Sequence, residues 1–148
     1  MTVESTMRHF GFTGTRDGMS PSQVEIVRTL LFVAGVGGAV LHHGDCVGAD
    51  ADAHAIAREL KYQVVGHPPE DDSARAFKDC DSWWDPKPYL TRNRNIVDIS
   101  GLLIAAPNGF EEQLRSGTWA TIRYAKKVNG RIIVVYPNGS TDLFGYIS

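Results

Sequence analysis

The sequence predicts an α/β protein, a three-layer sandwich built on a mainly parallel sheet of about five strands. Two observations predict this class. Short apolar runs rich in β-branched and aromatic residues recur along the chain. Segments with helical character separate these runs. Strands that alternate with helices form a parallel sheet with helices on both faces.

The predicted strands are short and apolar, and turn residues bound them. The last two, "GLLIAAP" and "RIIVVYP", are apolar almost throughout, which is typical of strands buried on both faces. In order, the strands are predicted over residues 7–14, 39–43, 63–67, 101–107 and 131–137.

The first helix has the clearest sequence signals. Ser20 suits the N-cap and Pro21 the first helical position. Apolar residues then recur with helical spacing over 24–36. Composition and spacing predict further helices over residues 49–61, 91–100 and 116–130.

Residues 68–88 break this rhythm. They hold four prolines and the adjacent Trp83 and Trp84, without a clear period. A loop of this length in a compact domain is often a lid or a binding element. We therefore predict one domain over 1–148, with 68–88 as a loop or lid and 1–6 flexible, and make no assignment for 138–148.

Composition restricts the function. The 148 residues are 43% apolar and 22% charged with a formal net charge of −2, so a general electrostatic affinity for nucleic acid is not expected. No apolar stretch approaches the roughly 20 residues of a membrane span. The N-terminus lacks the apolar region of a signal peptide, and Cys46 and Cys80 suit reduced thiols. We expect a cytoplasmic protein with no cofactor and no membrane partner.

Three predicted strand-to-helix junctions combine glycine with a hydroxyl or an acid. The carboxyl ends of parallel strands share one sheet edge, where such sheets bind ligands. Glycine allows close approach of the backbone, arginine binds phosphate in a bidentate manner, and a helix N-terminus attracts anions. Ordinary turns and N-caps explain each junction equally well in isolation. The junction residues are Gly14, Thr15 and Arg16; Gly44, Gly48 and Asp50; and Ser116, Gly117 and Thr118.

A metal site near the second strand is disfavoured. His42, His43, Asp45 and Cys46 are potential ligands. Adjacent residues on a strand point to opposite faces, so His42 and His43 cannot easily share one ion. We therefore predict no metal site.

The stretch "YLTRNRNIVDIS" places Arg92 and Arg94 on one predicted helix, with Asn95 beside them. Residues two apart on a helix diverge by about 200°, so both arginines cannot easily face one phosphate. We assign Arg94 to the pocket and Arg92 to a structural or interface role.

Four motifs in order resemble the SLOG group of Rossmann-like domains, which includes the DprA and LOG proteins. "GFTGTR" resembles the opening G-[ST]-R strand, and "HHGDCVGADADAHAIA" resembles S-G-x-A-x-G-I-D-x-x-A-H. "YLTRNRNIVDIS" resembles F-P-x-R-N-R-I-I-A-x-L-S. "RSGTWATIRYAKKVNGRIIVVYP" resembles S-G-[ST]-x-x-T-A-x-x-A-x-x-x-G-R-x-V-[FY]-x-x-P. The resemblance spans about residues 8–139.

The resemblance implies a Rossmann-like fold with a pocket for a phosphorylated nucleotide or a nucleotide-derived signalling molecule, bound by a sensor or sequestering protein. A homo-oligomer is also implied. Trp83 or Trp84 would cover the base, and Asp50 would contact ribose or shape its turn. The predicted ligand-binding residues are Gly14, Thr15, Arg16, Gly44, Gly48, Asp50, Trp83, Trp84, Arg94, Asn95, Pro107, Ser116, Gly117 and Thr118.

Two other functions follow from the same resemblance. LOG relatives cleave the N-glycosidic bond of nucleoside 5′-monophosphates, but Thr121 stands where their glutamate falls. Arg94 and Glu112 are the remaining catalytic candidates. DprA relatives bind single-stranded DNA, which the net acidic charge disfavours here, so we expect nucleic acid not to be the partner.

Overall fold

The computed structural model describes residues 7–145 and places seven strands in one sheet, in the order β4-β3-β2-β1-β5-β6-β7. All neighbouring pairs are parallel except β6 with β7. The predicted flexible segment 1–6 lies outside the described residues. The strands are β1 (Arg8–Gly14), β2 (Ala39–His43), β3 (Gln63–Gly66), β4 (Ser82–Trp83), β5 (Leu102–Ala106), β6 (Ile132–Val135) and β7 (Thr141–Phe144).

Four helices cover the two faces of the sheet. They are α1 (Pro21–Ala34), α2 (Ala49–Glu59), α3 (Tyr89–Ile99) and α4 (Gly117–Lys127). Side chains of α1 and α2 pack with Ile104 and Ala106 in one core cluster. Side chains of α3 and α4 pack with Leu103 and Ala105 in the other. Because alternate residues of β5 enter opposite clusters, the predicted three-layer α/β sandwich is confirmed.

The five predicted strands are all present, and the predicted number is corrected to seven. The additional strands β4 and β7 are short, lie at the two edges and are mostly exposed. Exposed edge strands carry no continuous apolar run, which is why the sequence pattern did not reveal them.

The start of α1 forms as predicted. Ser20 Oγ accepts from the Gln23 N–H, and Gln23 Oε1 accepts from the Ser20 N–H, which completes a capping box before Pro21. Helix α3 begins at Tyr89, two residues earlier than predicted, directly after Pro88. No helix in the described part of the chain has the length and apolar character that a bilayer span requires.

The order in which successive strands join the sheet reverses beside β1. Strands β2, β3 and β4 lie on one side of β1, and β5, β6 and β7 lie on the other. Such a reversal separates the loops that follow β1 and β5 and leaves a crevice between them. This crevice lies at the carboxyl ends of β1 and β5, where open α/β sheets bind their ligands.

Candidate functional site

A cleft of about 470 Å³ occupies this position. Its walls come from the loops after β1, β2 and β5 and from the first turns of α3 and α4. The predicted site residues that line it are Gly14, Thr15, Arg16, Gly44, Asp50, Ser116, Gly117 and Thr118.

Two backbone hydrogen bonds of Thr15 fix the position of the loop after β1. The Thr15 N–H donates to the Ala106 carbonyl (3.1 Å), and the Thr15 carbonyl accepts from the Ala49 N–H (2.9 Å). A Cβ on Gly14 would lie 2.5 Å from the Ala49 Cβ, so glycine lets α2 approach β1 closely. The loop that carries Arg16 is thus held between β5 and α2.

Gly48 packs closely against the backbone of Arg16 in this loop. It precedes α2 with φ 88°, and a Cβ there would collide with the carbonyl of Arg16. Gly48 therefore shapes the wall and does not itself line the cleft.

The N-terminus of α4 faces the cleft. Ser116 Oγ accepts from the Trp119 N–H (3.2 Å), as an N-cap does. No described atom lies within 4 Å of a Cβ built on Gly117. The first-turn amides of a helix lack intrahelical partners and attract anions, so the start of α4 offers free backbone donors.

Asp50 belongs to the first turn of α2 and organises the loop after β2. One of its oxygens, Oδ2, accepts from the N–H groups of Gly44 and Cys46 (both 3.1 Å). Burial raises the pKa of Asp50 to about 6, and Arg92 opposes that rise. The N-cap of α2 is Gly48, so Asp50 is not an N-cap but shapes the turn. Its carboxylate therefore binds the amides of the loop that precedes α2.

Arg92 reaches the cleft from the first turn of α3. Its side chain is buried, and Nη1 donates to the carbonyls of Gly44 (2.6 Å) and His67 (3.2 Å). Arg94 is exposed on the same helix and lies 5.2 Å over the Tyr124 ring, outside the cleft. The predicted positions of the two arginines are therefore reversed. The two do diverge as predicted, but Arg92 shares the inward face of α3 with buried Ile96.

Arginine side chains dominate the electrostatics of the cleft. Arg16, Arg92 and Arg115 line it, whereas Asp50 is the one lining carboxylate among the described residues. The Arg16 guanidinium lies 5.3 Å from the Tyr89 ring centroid, a cation–π contact. Neither Arg16 nor Arg115 donates a side-chain hydrogen bond to any residue in 7–145. The cleft thus holds two arginines with unsatisfied donors.

The predicted base cover is not at the cleft. The Trp84 ring packs 4.5 Å from the His67 ring, and Trp83 lies under the Arg75 guanidinium. Neither tryptophan lines the cleft. Segment 68–88 is instead anchored by buried Asp45, whose carboxylate accepts from the N–H groups of Phe77 and Lys78. Two aromatic residues line the cleft, the buried Phe12 and Tyr89. Leu90 lies beside Tyr89, and sequence reasoning missed all three as lining residues.

The remaining predicted residues also lie outside the cleft. The Pro107 carbonyl accepts from Gln23 Nε2 (2.7 Å) and so has a structural role. Asn95 is half-buried on α3 and does not line the cleft. Glu112 pairs with Arg123 (2.7 Å), away from the cleft wall.

His42 and His43 enter separate networks on the two faces of the sheet, as their alternation predicts. His42 is hydrogen-bonded to His9 and to His67 (both 2.9 Å). His43 is hydrogen-bonded to His54 of α2 (3.0 Å).

The side chains of His43, His54 and Cys80 bring three potential metal-ligand atoms within 4.8 Å of one another. The Asp45 N–H, however, donates to His43 Nδ1 (2.9 Å). A neutral His43 must then carry its proton on Nε2, the atom that faces His54. A metal at Nε2 would have to displace this proton and leave an imidazolate. The donor set therefore favours a hydrogen-bonded cluster over a metal site.

Comparison with known proteins gives structural likenesses. No protein-family model and no curated protein matches the chain. A molybdenum cofactor binding protein from Rippkaea orientalis superposes with a TM-score of 0.68 at 20% identity, covering 88% of this chain and 77% of that one. DNA processing protein A from Helicobacter pylori gives 0.62 at 20%, covering 89% and 66%. The molybdenum cofactor carrier protein of Chlamydomonas reinhardtii gives 0.62 at 21%, covering 86% and 76%.

The fold and the cleft define a Rossmann-like protein with an anion-attracting site at the switch point of its sheet. More particularly, it shares the fold of DNA processing protein A and of the molybdenum cofactor carrier protein. The resemblance in the four sequence motifs is thereby confirmed at the level of the fold.

Proposed function

We propose that this protein binds a phosphorylated nucleotide, or a nucleotide-derived signalling molecule, in the cleft and holds it as a sensor or sequestering protein. One observation carries the proposal. Arg16 and Arg115, whose side chains donate no hydrogen bond to residues 7–145, line the same cleft as the N-terminus of α4. Guanidinium groups and first-turn amides are the donors that bind phosphate in proteins.

The cleft has a plausible partner for each part of a nucleotide. Phosphate oxygens would accept from Arg16, Arg115 and the amides of Gly117 and Thr118. Asp50 Oδ1 makes no hydrogen bond with residues 7–145 and can accept from a ribose hydroxyl. Tyr89 offers an aromatic ring for the base, in place of Trp83 and Trp84.

The structural neighbours support a phosphorylated ligand. Their names record the binding of molybdenum cofactor in two cases and of single-stranded DNA in a third. Both ligands join a phosphate to a heterocycle. A nucleotide has the same chemistry, which fits a cleft with cationic and aromatic walls.

Binding without turnover is favoured because acids are scarce at the cleft. Thr121, at the position of the LOG glutamate, is buried and donates to the Gly117 carbonyl (2.9 Å). The two catalytic candidates, Arg94 and Glu112, both lie outside the cleft. Hydrolysis of an N-glycosidic bond needs an acid. Thr121 cannot supply one at the position where LOG relatives have a glutamate.

Replacing Arg115 with alanine is expected to weaken nucleotide binding about tenfold or more, since a charge-assisted hydrogen bond contributes about 1.5–3 kcal/mol. Isothermal titration with a panel of nucleoside monophosphates measures this change. Arg28→Ala is the matched control, because Arg28 pairs with Glu59 on the surface and should leave affinity unchanged. Equal affinities of wild type and Arg115→Ala would contradict the proposed phosphate site.

A second candidate function, N-glycosidic hydrolysis, has one observation in its favour. Asp50 is a buried carboxyl in the cleft with a pKa of about 6, a value suited to acid–base catalysis at neutral pH. We expect bound nucleoside monophosphates to be recovered unchanged by chromatography after incubation and heat denaturation. Release of free base, abolished in Asp50→Asn, would contradict capture and establish the hydrolase.

A further inference from the structure

A second hollow adjoins the cleft between the outer faces of α3 and α4. This α3/α4 groove has a volume of about 330 Å³. Leu90 and Asn93 line both the cleft and the groove, so the two hollows share one wall. The other residues that line the groove are Arg94, Ala120, Thr121, Arg123, Tyr124 and Lys127.

The groove contains cations without anionic partners. Arg123 is neutralised by Glu112, but neither Arg94 nor Lys127 forms an ion pair within residues 7–145. Carboxylates are absent from the described lining of the groove. The protein as a whole carries a formal net charge of −2, so this local excess of positive charge is not a general property of its surface.

Three arginines without a side-chain hydrogen bond to residues 7–145 line these two hollows. Most arginines donate to a carboxylate or a carbonyl, as Arg28, Arg58 and Arg75 do. Arg16, Arg94 and Arg115 donate no side-chain hydrogen bond to a described residue. Two of them line the cleft and the third lines the groove.

The guanidinium of Arg94 is oriented by its surroundings. It lies 5.2 Å over the Tyr124 ring, and the Tyr124 hydroxyl donates to Asp98 Oδ1 (2.8 Å). This cation–π contact places the guanidinium over the ring, and none of its N–H groups donates to a residue in 7–145. Arg94 is therefore positioned to bind an anion in the groove.

We infer that the α3/α4 groove is a second anion subsite, and that the ligand carries two phosphates joined by a nucleoside, one in each hollow. The inference rests on the proposed phosphate site in the cleft and extends the ligand beyond a mononucleotide. A phosphodiester-linked dinucleotide has this chemistry, and so does the 5′ end of a single strand. Asn93 and Leu90 would contact the part that joins the two phosphates.

The test compares mixed-base nucleoside 5′-monophosphates with mixed-base 5′-phosphorylated dinucleotides, bound to wild type and to Arg94→Ala/Lys127→Ala. In wild type the dinucleotides are expected to bind about tenfold more tightly. The double variant loses this gain and keeps its affinity for monophosphates. Arg28→Ala/Lys61→Ala removes the same charge outside both hollows and should retain the gain.

The outcomes separate the two proposals. Monophosphates that bind with no gain for dinucleotides, or a gain that survives in the double variant, would overturn the second subsite alone. Monophosphates that fail to bind wild type would instead overturn the proposed phosphate site in the cleft. A 5′-phosphorylated ten-nucleotide strand distinguishes the two sources of the ligand. Affinity equal to that of the dinucleotide indicates a free dinucleotide, whereas tighter, strongly salt-dependent binding indicates a single strand.

Discussion

Replacing Arg92 with methionine is expected to lower the free energy of unfolding by about 3–5 kcal/mol. The substitution removes the guanidinium, while the carbonyl groups that accept its hydrogen bonds stay buried. The carbonyls of Gly44 and His67 would each lose a hydrogen bond. Asp50, whose carboxylate Arg92 stabilises, would have its pKa raised further above its ordinary value. Urea unfolding at pH 7.5 measures the change in stability.

Arg94→Met provides a matched control two residues along the same helix. Arg94 is exposed and lies over the Tyr124 ring, and it forms no side-chain hydrogen bond with residues 7–145. Its replacement should therefore change stability by no more than about 0.5 kcal/mol. Unlike Arg92→Met, this variant leaves intact the hydrogen bonds that the Gly44 and His67 carbonyls accept from Arg92. Similar losses in the two variants, or a loss below about 1 kcal/mol for Arg92→Met, would show that Arg92 does not hold the loop after β2.

The central part of the fold could be predicted because its signals are local. Ser20 and Pro21 mark the start of a helix whatever the rest of the chain does, and the apolar runs of β5 and β6 exclude an exposed position. The edge strands β4 and β7 have no such signal. They form because β3 and β6 leave unpaired backbone groups beside them, which is a tertiary property.

The cleft could be predicted from topology joined to composition. A parallel sheet brings the ends of β1 and β5 to one edge, so Gly14, Thr15 and Ser116 meet although the sequence separates them widely. The division between Arg92 and Arg94 was also open to prediction. Arg92 stands one helical turn before the apolar Ile96, a spacing that indicates the inward face.

The tryptophans could not be placed from sequence. Trp83 and Trp84 occur in a segment without periodicity, whose course depends on distant contacts. Buried Asp45 binds the backbone of residues 77 and 78, and the His67 ring receives Trp84. The sequence around residues 83 and 84 indicates neither of these contacts.

Acidification from pH 7 to pH 5 is expected to lower the free energy of unfolding by on the order of 4 kcal/mol. The cause is a set of buried neutral histidines. Burial, the largest influence on each, lowers the pKa of His42 to about 4 and the pKa values of His43 and His67 to about 3. The pKa of His54 is shifted in the same direction, again mainly by burial.

The direction of this pH effect depends on whether the folded or the unfolded state binds more protons. An unfolded histidine takes up its proton near pH 6.5, whereas these folded histidines remain neutral until about pH 3–4. Their stabilising contribution is complete above pH 6.5 and is lost as the pH falls below it. Asp50 acts in the opposite sense, because its pKa is raised to about 6 and the folded state binds its proton first. Its gain of about 1 kcal/mol offsets part of the loss.

Replacing His67 with glutamine tests this cause directly. The glutamine amide can donate to or accept from His42 Nδ1, the atom to which His67 Nε2 is hydrogen-bonded, but it cannot titrate. Between pH 6 and pH 5 the slope of unfolding free energy against pH should therefore fall by about one proton, or about 1.4 kcal/mol per pH unit. Urea unfolding of both proteins across this range measures the slopes. A wild-type stability that does not change from pH 7 to pH 5 would mean that these histidines are accessible to protons in the folded state, because only equal proton uptake by the two states removes the dependence.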